Sequence, residues 1–213
     1  SAYLLWRLLY NSFKRSLSWR TKIWCLGLAT LLISVSIYPV LGTKARLADR
    51  FYGNSGPFTL DGTAFLTDTV YQDLEGEIDL EADFEGIRWL QENVQGSPVI
   101  LEGNTPTYRW GSRVSVYTGL PTIIGWKWHQ EQQRWGYRSL VEHRIQDVNR
   151  LYKTKDMKEA FSLLSTYNVR YVYIGQLERL YYTSEGLDKF ERMVGSGLEK
   201  VFQTQHVTIY RVI

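Results

Sequence analysis

The sequence predicts an α/β protein in which one transmembrane helix precedes a small α/β sandwich domain with a mixed sheet. Residues 23–41 form a run of 19 residues without a charge. As a helix this run is about 28 Å long, which matches the apolar core of a bilayer. After it, segments with helical spacing alternate with short β-branched strands, and this pattern is typical of α/β folds.

Aromatic residues support a membrane-spanning interpretation of 23–41. Trp19 and Trp24 stand at one edge of the apolar run and Tyr38 at the other, as in interfacial aromatic belts, and Pro39 predicts the helix end. A signal peptide is the main alternative, but the run exceeds the usual apolar region of roughly 7–15 residues and no A-x-A site follows. A buried core helix would normally show a polar face.

Charge around this helix predicts its orientation. Residues 1–22 carry five basic side chains and no acidic one, whereas three basic residues follow the helix, at 44, 46 and 50. The positive-inside rule therefore places 1–22 in the cytoplasm as a basic flank and the later domain outside it, at the cell membrane. The opening AYLLWRLLY is typical of the end of an earlier apolar helix, so we expect the chain to be part of a longer protein.

Residues 42–83 are predicted to be an irregular, acidic connector. Turn-forming residues are frequent there, and the stretch from Asp61 to Glu85 holds nine carboxylates without a Lys or Arg. Nothing in the sequence holds these carboxylates together, so a solvated acidic surface is favoured over a cation site.

Residues 84–213 are predicted to form the extracytoplasmic α/β domain. Helical spacing predicts helices near 84–94, 140–152, 156–167 and 184–194. Apolar or alternating runs predict strands at 99–101, 113–118, 169–174, 198–203 and 207–212, the last two as a hairpin.

A segment rich in tryptophan and arginine, 102–138, is the candidate site. It holds half of the chain's eight Trp residues among Arg and Lys. Indole rings stack on sugars and guanidinium groups bind phosphate, so a phosphorylated or lipid-linked sugar is one predicted ligand. The alternative is that these side chains pack on each other or against a membrane partner. Single-stranded nucleic acid also suits this composition, but we expect no nucleic-acid partner for an outward-facing domain.

The sequence predicts neither a metal site nor a complete active site in this chain. Cys25 is its only cysteine, and the two-residue spacing of His129 and Glu131 fits no helical zinc pair. His129 is interpreted as a loop or hydrogen-bonding residue in preference to a catalytic base. His143 and His206 are interpreted as structural residues on a helix and a strand. The net charge of +3 identifies no partner, and the residues indicate no cofactor.

Three groups of segments resemble a known family: YPVLGTKARLADRF with LDGTAFL, then SVYTGLPTIIGWKWHQEQQR, then DVNRLYKTKD with VRYVYIGQLERLYY. Together they resemble the C-terminal part of the polytopic membrane proteins of archaea and Chloroflexi-type bacteria that are named for a YYY motif. That family is similar to the GT-C-like membrane glycosyltransferases. The most specific parts are TGLPTIIGW at 118–126 and YVYIGQLER at 171–179.

The resemblance implies a membrane glycosyltransferase whose catalytic acidic residue lies outside this chain, on an earlier extracytoplasmic loop. It implies a lipid-phosphate-linked sugar as donor, with a divalent cation as a further expectation. The other transmembrane helices of the same protein, or other membrane subunits, and a glycan would then be partners beside the bilayer. Substrate-binding residues are then expected at Arg109, Tyr117, Trp126, Trp128, His129, Glu131 and Arg134, while a non-catalytic structural or interaction domain remains the alternative.

Overall fold

The computed structural model describes residues 3, 6, 7, 10, 18–52 and 59–213, with the backbone alone at 50–52. The basic side chains predicted as a flank at 14 and 15, and the predicted turn residues 53–57, lie outside this part. The chain divides into two compact units, 1–50 and 51–213.

The first unit contains one long helix, α1 (Trp19–Arg50). Of the residues that the structure describes, only this helix is long and apolar enough to cross a membrane, by length and composition. Hydroxyls of Thr30, Ser34 and Ser36 donate to carbonyls four residues earlier at 2.9, 2.8 and 2.7 Å, which satisfies them within the helix. The prediction that the helix ends at Pro39 is wrong: the helix continues past it to Arg50, because proline removes only one helical hydrogen bond.

The second unit combines a three-stranded and a four-stranded sheet with helices. Its strands are β1 (Phe51–Tyr52), β2 (Val70–Gln72), β3 (Glu77–Asp79), β4 (Val99–Leu101), β5 (Val169–Ile174), β6 (Leu198–Gln203) and β7 (Thr208–Val212). Its helices are α2 (Leu80–Asn93), α3 (Arg113–Thr118), α4 (Lys127–Gln133), α5 (Arg138–Lys153), α6 (Met157–Thr166), α7 (Gln176–Tyr181) and α8 (Ser184–Arg192), and a 3₁₀ turn occupies Ala64–Thr67.

The four-stranded sheet has the order β4-β5-β7-β6 and is mixed, since β4 pairs in parallel with β5 while β5, β7 and β6 pair antiparallel. Alternate strand residues face opposite sides. Val172 and Ile174 of β5 pack in one apolar cluster with residues of α5, α6 and α8, whereas Tyr173 packs in another with residues of α2 and α3. The predicted α/β fold with a mixed sheet is therefore confirmed, with helices on both faces.

Most predicted elements of this sheet and its helices are confirmed within one to four residues at their ends. Residues 113–118 are an exception, because they form helix α3 and not a strand. The alternation of Val114 and Val116 suggested a strand, but the Glu102 carboxylate accepts hydrogen bonds from the first amides of α3, and Gly119 ends it at φ 73°. His206 also lies in the turn of the β6–β7 hairpin and not in a strand.

The irregular character predicted for 42–83 is wrong for the last turns of α1, for strands β1, β2 and β3, for the 3₁₀ turn and for the start of α2. These strands are only two or three residues long, so they leave little period-2 pattern in the sequence. The solvated acidic surface is wrong for Asp73 and Asp83, which are 4% and 0% exposed.

Candidate functional site

A charged cluster lies in the interior of the second unit. Arg113 is 2% exposed, and its guanidinium donates from Nε to Asp83 at 2.6 Å and from Nη2 to Glu178 at 2.9 Å. Trp110 donates an indole bond to the Asp83 carboxylate at 2.8 Å, and Tyr173 donates to the Asp83 main-chain carbonyl at 3.0 Å. The three charges are thus paired and hydrogen-bonded, which is how charges are tolerated in a protein interior.

Two glycines allow the backbone to approach this cluster. A Cβ at Gly175 would lie 2.6 Å from Asp83 Oδ1, and a Cβ at Gly103 would lie 2.9 Å from Glu178 Oε1. Because both residues are glycine, their main-chain amides come close enough to donate to the Glu178 carboxylate, each at 2.8 Å. The cluster therefore joins α2, α3 and α7 to the ends of β4 and β5.

Two neighbouring carboxyls in this cluster differ in pKa. Burial raises the pKa of Glu102 to about 7, although Arg113 and the hydrogen bonds from Ser115 and Val114 act against it. Burial also acts to raise the pKa of Glu178, but Arg113 and the glycine amides outweigh it and hold that pKa below its usual value. Because Asp83, Glu102, Arg113 and Glu178 are at most 2% exposed, we interpret the cluster as a structural element and not as a substrate site.

The tryptophan segment, residues 126–138, lies on the surface. It comprises α4, its N-cap residue Trp126 and the turn into α5. Trp128 is 54% exposed, Trp135 89% and Tyr137 59%. The sequence left packing of the tryptophans as an alternative, and the structure shows it for Trp110 and Trp126 but not for Trp128 and Trp135.

The base of the tryptophan segment is fixed to the domain. The Trp126 ring packs on Tyr108 with centroids 5.5 Å apart, and Lys127 forms an ion pair with Glu142 of α5. Trp126 and Lys127 are thus held against the domain, while the rings of Trp128, Trp135 and Tyr137 are exposed.

Unpaired polar atoms concentrate around this segment. Of the four buried side-chain atoms that lack a hydrogen-bond partner among the described residues, three are Trp126 Nε1, Glu131 Oε1 and Arg144 Nε. Glu131 Oε1 lies 3.6 Å from Arg138 Nε, which is too long for a hydrogen bond. Buried polar groups are normally hydrogen-bonded, and atoms this enclosed suit a buried water better than a larger ligand.

The structure places five of the seven predicted substrate-binding residues in one segment and the other two outside it. Trp126, Trp128, His129, Glu131 and Arg134 share the tryptophan segment. Their exposure differs: Trp128, His129 and Arg134 face solvent, whereas Trp126 and Glu131 are half-buried.

Arg109 and Tyr117 lie outside the segment. Arg109 is half-buried and follows Tyr108, the ring that packs on Trp126. Tyr117 lies on α3 and packs beside Trp110 with centroids 6.0 Å apart, next to the core clusters. The contacts of Tyr117 are therefore those of a packing residue.

No group of three or more metal-ligating side chains occurs among the residues that the structure describes. Whether a divalent cation belongs to the site therefore remains a prediction from the resemblance alone.

Sequence reasoning missed the Arg113 cluster. Its members are 30 and 65 residues apart in the chain, so no local motif contains them. Asp83 was interpreted as part of a solvated acidic run. The one available signal was Gly175, directly after the β5 strand, where a close backbone approach was open to glycine alone.

No family model matches this chain, and no curated protein matches it. Among the solved structures that match is the C-terminal globular domain of an oligosaccharyltransferase from Archaeoglobus fulgidus, at 12% identity and a TM-score of 0.39, covering 61% of this chain and 95% of that one. This likeness assigns no role to any residue, and the family resemblance of the sequence stays a prediction.

Proposed function

We propose that this chain is the extracytoplasmic C-terminal domain, with its membrane anchor, of a polytopic GT-C-like glycosyltransferase that uses a lipid-linked sugar. In this proposal the tryptophan segment contacts the donor or the acceptor. The catalytic acidic residue belongs to another part of the protein, and the domain supplies binding and not bond cleavage.

The observation that carries this proposal is that two exposed indoles, Trp128 and Trp135, flank an exposed arginine that has no ion pair among the described residues. Beside these rings, Glu131 Oε1 is ion-paired with Arg138, and Trp126 Nε1 is an enclosed donor without a hydrogen-bond partner among the described residues. The exposed ring of Trp128 offers a stacking face.

Arg134 supplies the charge that a lipid phosphate requires. It ends α4, faces solvent, and has no ion pair with any residue that the structure describes. A guanidinium group in this state is free to form a forked bond with phosphate. The apolar helix α1 supports a membrane-attached substrate, because it has the length and composition of an anchor.

Glycan transfer by the complete membrane protein tests the proposal. We expect Trp126→Ala or Arg134→Ala to abolish transfer while membrane insertion and folding remain unchanged. The matched control is Arg170→Ala, an exposed arginine on β5. A Trp126→Ala, Arg134→Ala double variant with full transfer activity would refute the assignment.

A non-catalytic interaction domain is the second candidate, and the 89% exposure of Trp135 favours it. An indole this exposed suits burial against another membrane protein. A photo-crosslinking residue at position 135 would then capture a partner protein in membranes, while the Arg134→Ala variant would leave all glycan transfer intact.

A further inference from the structure

A cavity of about 370 Å³ lies beside the tryptophan segment, and Lys127 belongs to both. Its lining includes Asn104, Lys127, Glu142, Asn149, Lys153 and Tyr182. Its volume falls in the range of small-molecule sites, roughly 300–1,000 Å³. Nothing in the sequence pointed to it.

The position of the cavity in the sheet favours ligand binding. Its walls include the loop 104–107, which follows β4, and Tyr181 and Tyr182 at the end of α7, the helix that follows β5. Strands β4 and β5 are parallel neighbours, so their carboxyl ends meet at this edge. In open α/β sheets, ligands bind at the carboxyl ends of the strands.

The floor of the cavity is rigid. Tyr182 is 5% exposed and stacks on Tyr152 with centroids 4.5 Å apart. The Tyr182 hydroxyl accepts a hydrogen bond from the main-chain amide of Asn104 at 3.1 Å. It donates one to Asn149 Oδ1 at 3.0 Å. The Asn149 carbonyl is thereby oriented, and its Nδ2 has no acceptor within the described part of the chain.

The cavity carries one positive charge in excess. Two lysines and one glutamate line it, and Lys127 pairs with Glu142. The Lys153 ammonium group has no ion pair with any residue that the structure describes, and its side chain is exposed. Amide, hydroxyl and carboxylate groups around this charge suit a ligand with several hydroxyls and one anionic group.

We propose that this cavity binds an anionic saccharide, with its phosphate or carboxylate on Lys153 and its hydroxyls on Asn149, Asn104 and Glu142. The cavity does not depend on the exposed indoles or on Arg134, so this inference stands apart from the proposed function. A sugar phosphate and a uronic acid share the required chemistry.

Calorimetric titration of the full chain in detergent micelles tests this proposal, with glucose 1-phosphate, glucuronate, glucose and inorganic phosphate as probes. We expect saturable binding of one or both anionic sugars, weakened about tenfold in Lys153→Met, which corresponds to about 1.4 kcal/mol. Which anionic sugar binds distinguishes the phosphate from the carboxylate. Glucose and inorganic phosphate should each bind more weakly.

Two control variants make the outcomes unambiguous. Lys158→Met changes an exposed lysine of α6 outside the cavity and should bind like the wild type. Arg170→Ala, an exposed arginine of β5 outside the cavity and the tryptophan segment, should also bind like the wild type. The proposal is overturned if neither anionic sugar binds, if Lys153→Met binds as the wild type does, or if phosphate alone binds as tightly as the sugars.

Discussion

Arg113 and Arg134 lie in regions with similar side chains but opposite exposure. Around Arg113, two carboxylates and the indole of Trp110 form a closed set of hydrogen bonds at 0–2% exposure of the charged groups. Around Arg134, Trp128 and Trp135 face solvent, and no ion pair from a described residue reaches the guanidinium. Burial and pairing thus distinguish an arginine that organises the fold from one that is available to a ligand.

The largest expected effect comes from replacing Arg113 in the buried cluster. Arg113→Met leaves Asp83 and Glu178 buried without their counter-charge, so we expect the free energy of unfolding to fall by about 3–5 kcal/mol. Arg134→Met should change it by less than about 0.5 kcal/mol. Urea denaturation measures both, and equal losses would contradict the distinction.

The pH dependence of the free energy of unfolding tests the buried cluster around Arg113 in a second way. Because the folded-state pKa of Glu102 is about 7 and its ordinary value is 4.5, the native state binds more protons between these values. This contribution to stability is fully present below pH 4.5 and is lost as pH rises towards 7, by roughly 3 kcal/mol. Glu102→Gln should flatten the change, which denaturation at several pH values would show.

Lys189 provides an internal control for that titration. Burial, together with Arg192, lowers its pKa to about 7 from 10.5. A lowered lysine pKa makes stability rise with pH between 7 and 10.5, so its window does not overlap that of Glu102. If Glu102→Gln changed the slope of unfolding free energy against pH only above pH 7, the assignment of the change between pH 4.5 and 7 to Glu102 would be wrong.

A smaller loss is expected from Gly175→Ala. The new Cβ would lie 2.6 Å from Asp83 Oδ1 and 2.9 Å from Arg113 Nη2, so the cluster must shift. We expect a loss of about 1–3 kcal/mol in the free energy of unfolding. Gly62→Ala is the matched control, since nothing lies within 4 Å of its Cβ. Thermal denaturation compares them, and similar melting temperatures would argue against tight packing at Gly175.

The smallest effect is expected at the exposed tryptophan. Trp135→Ala should change the free energy of unfolding by less than about 0.5 kcal/mol, because the ring is 89% exposed. Trp110→Phe keeps a ring but removes the indole bond to Asp83, and should cost about 1–3 kcal/mol. If Trp135→Ala lowered the free energy of unfolding more than Trp110→Phe does, Trp135 would have to make a contact within the domain.

Much of the candidate site was predictable, because the exposed aromatic and basic residues are neighbours in the chain. Trp126 to Arg134 needed no folding to be brought together. Tyr117 could not be placed correctly, because its position depends on α3 being a helix and on packing with Trp110. The cavity at Lys153 could not be predicted either, since its walls come from four separate stretches of sequence.

The sequence by itself determined the apolar helix, the α/β alternation and elements such as β5 and α6. Their signals are local: an uncharged run, β-branched residues, and an Asp156 side chain that caps the helix it precedes at 2.8 Å. Only the tertiary structure decided the conformation of 113–118 and the partners of Arg113. Carboxylates 30 and 65 residues away supply those contacts, and Glu102 turns an alternating sequence into a capped helix because its buried oxygens accept the first amides of α3.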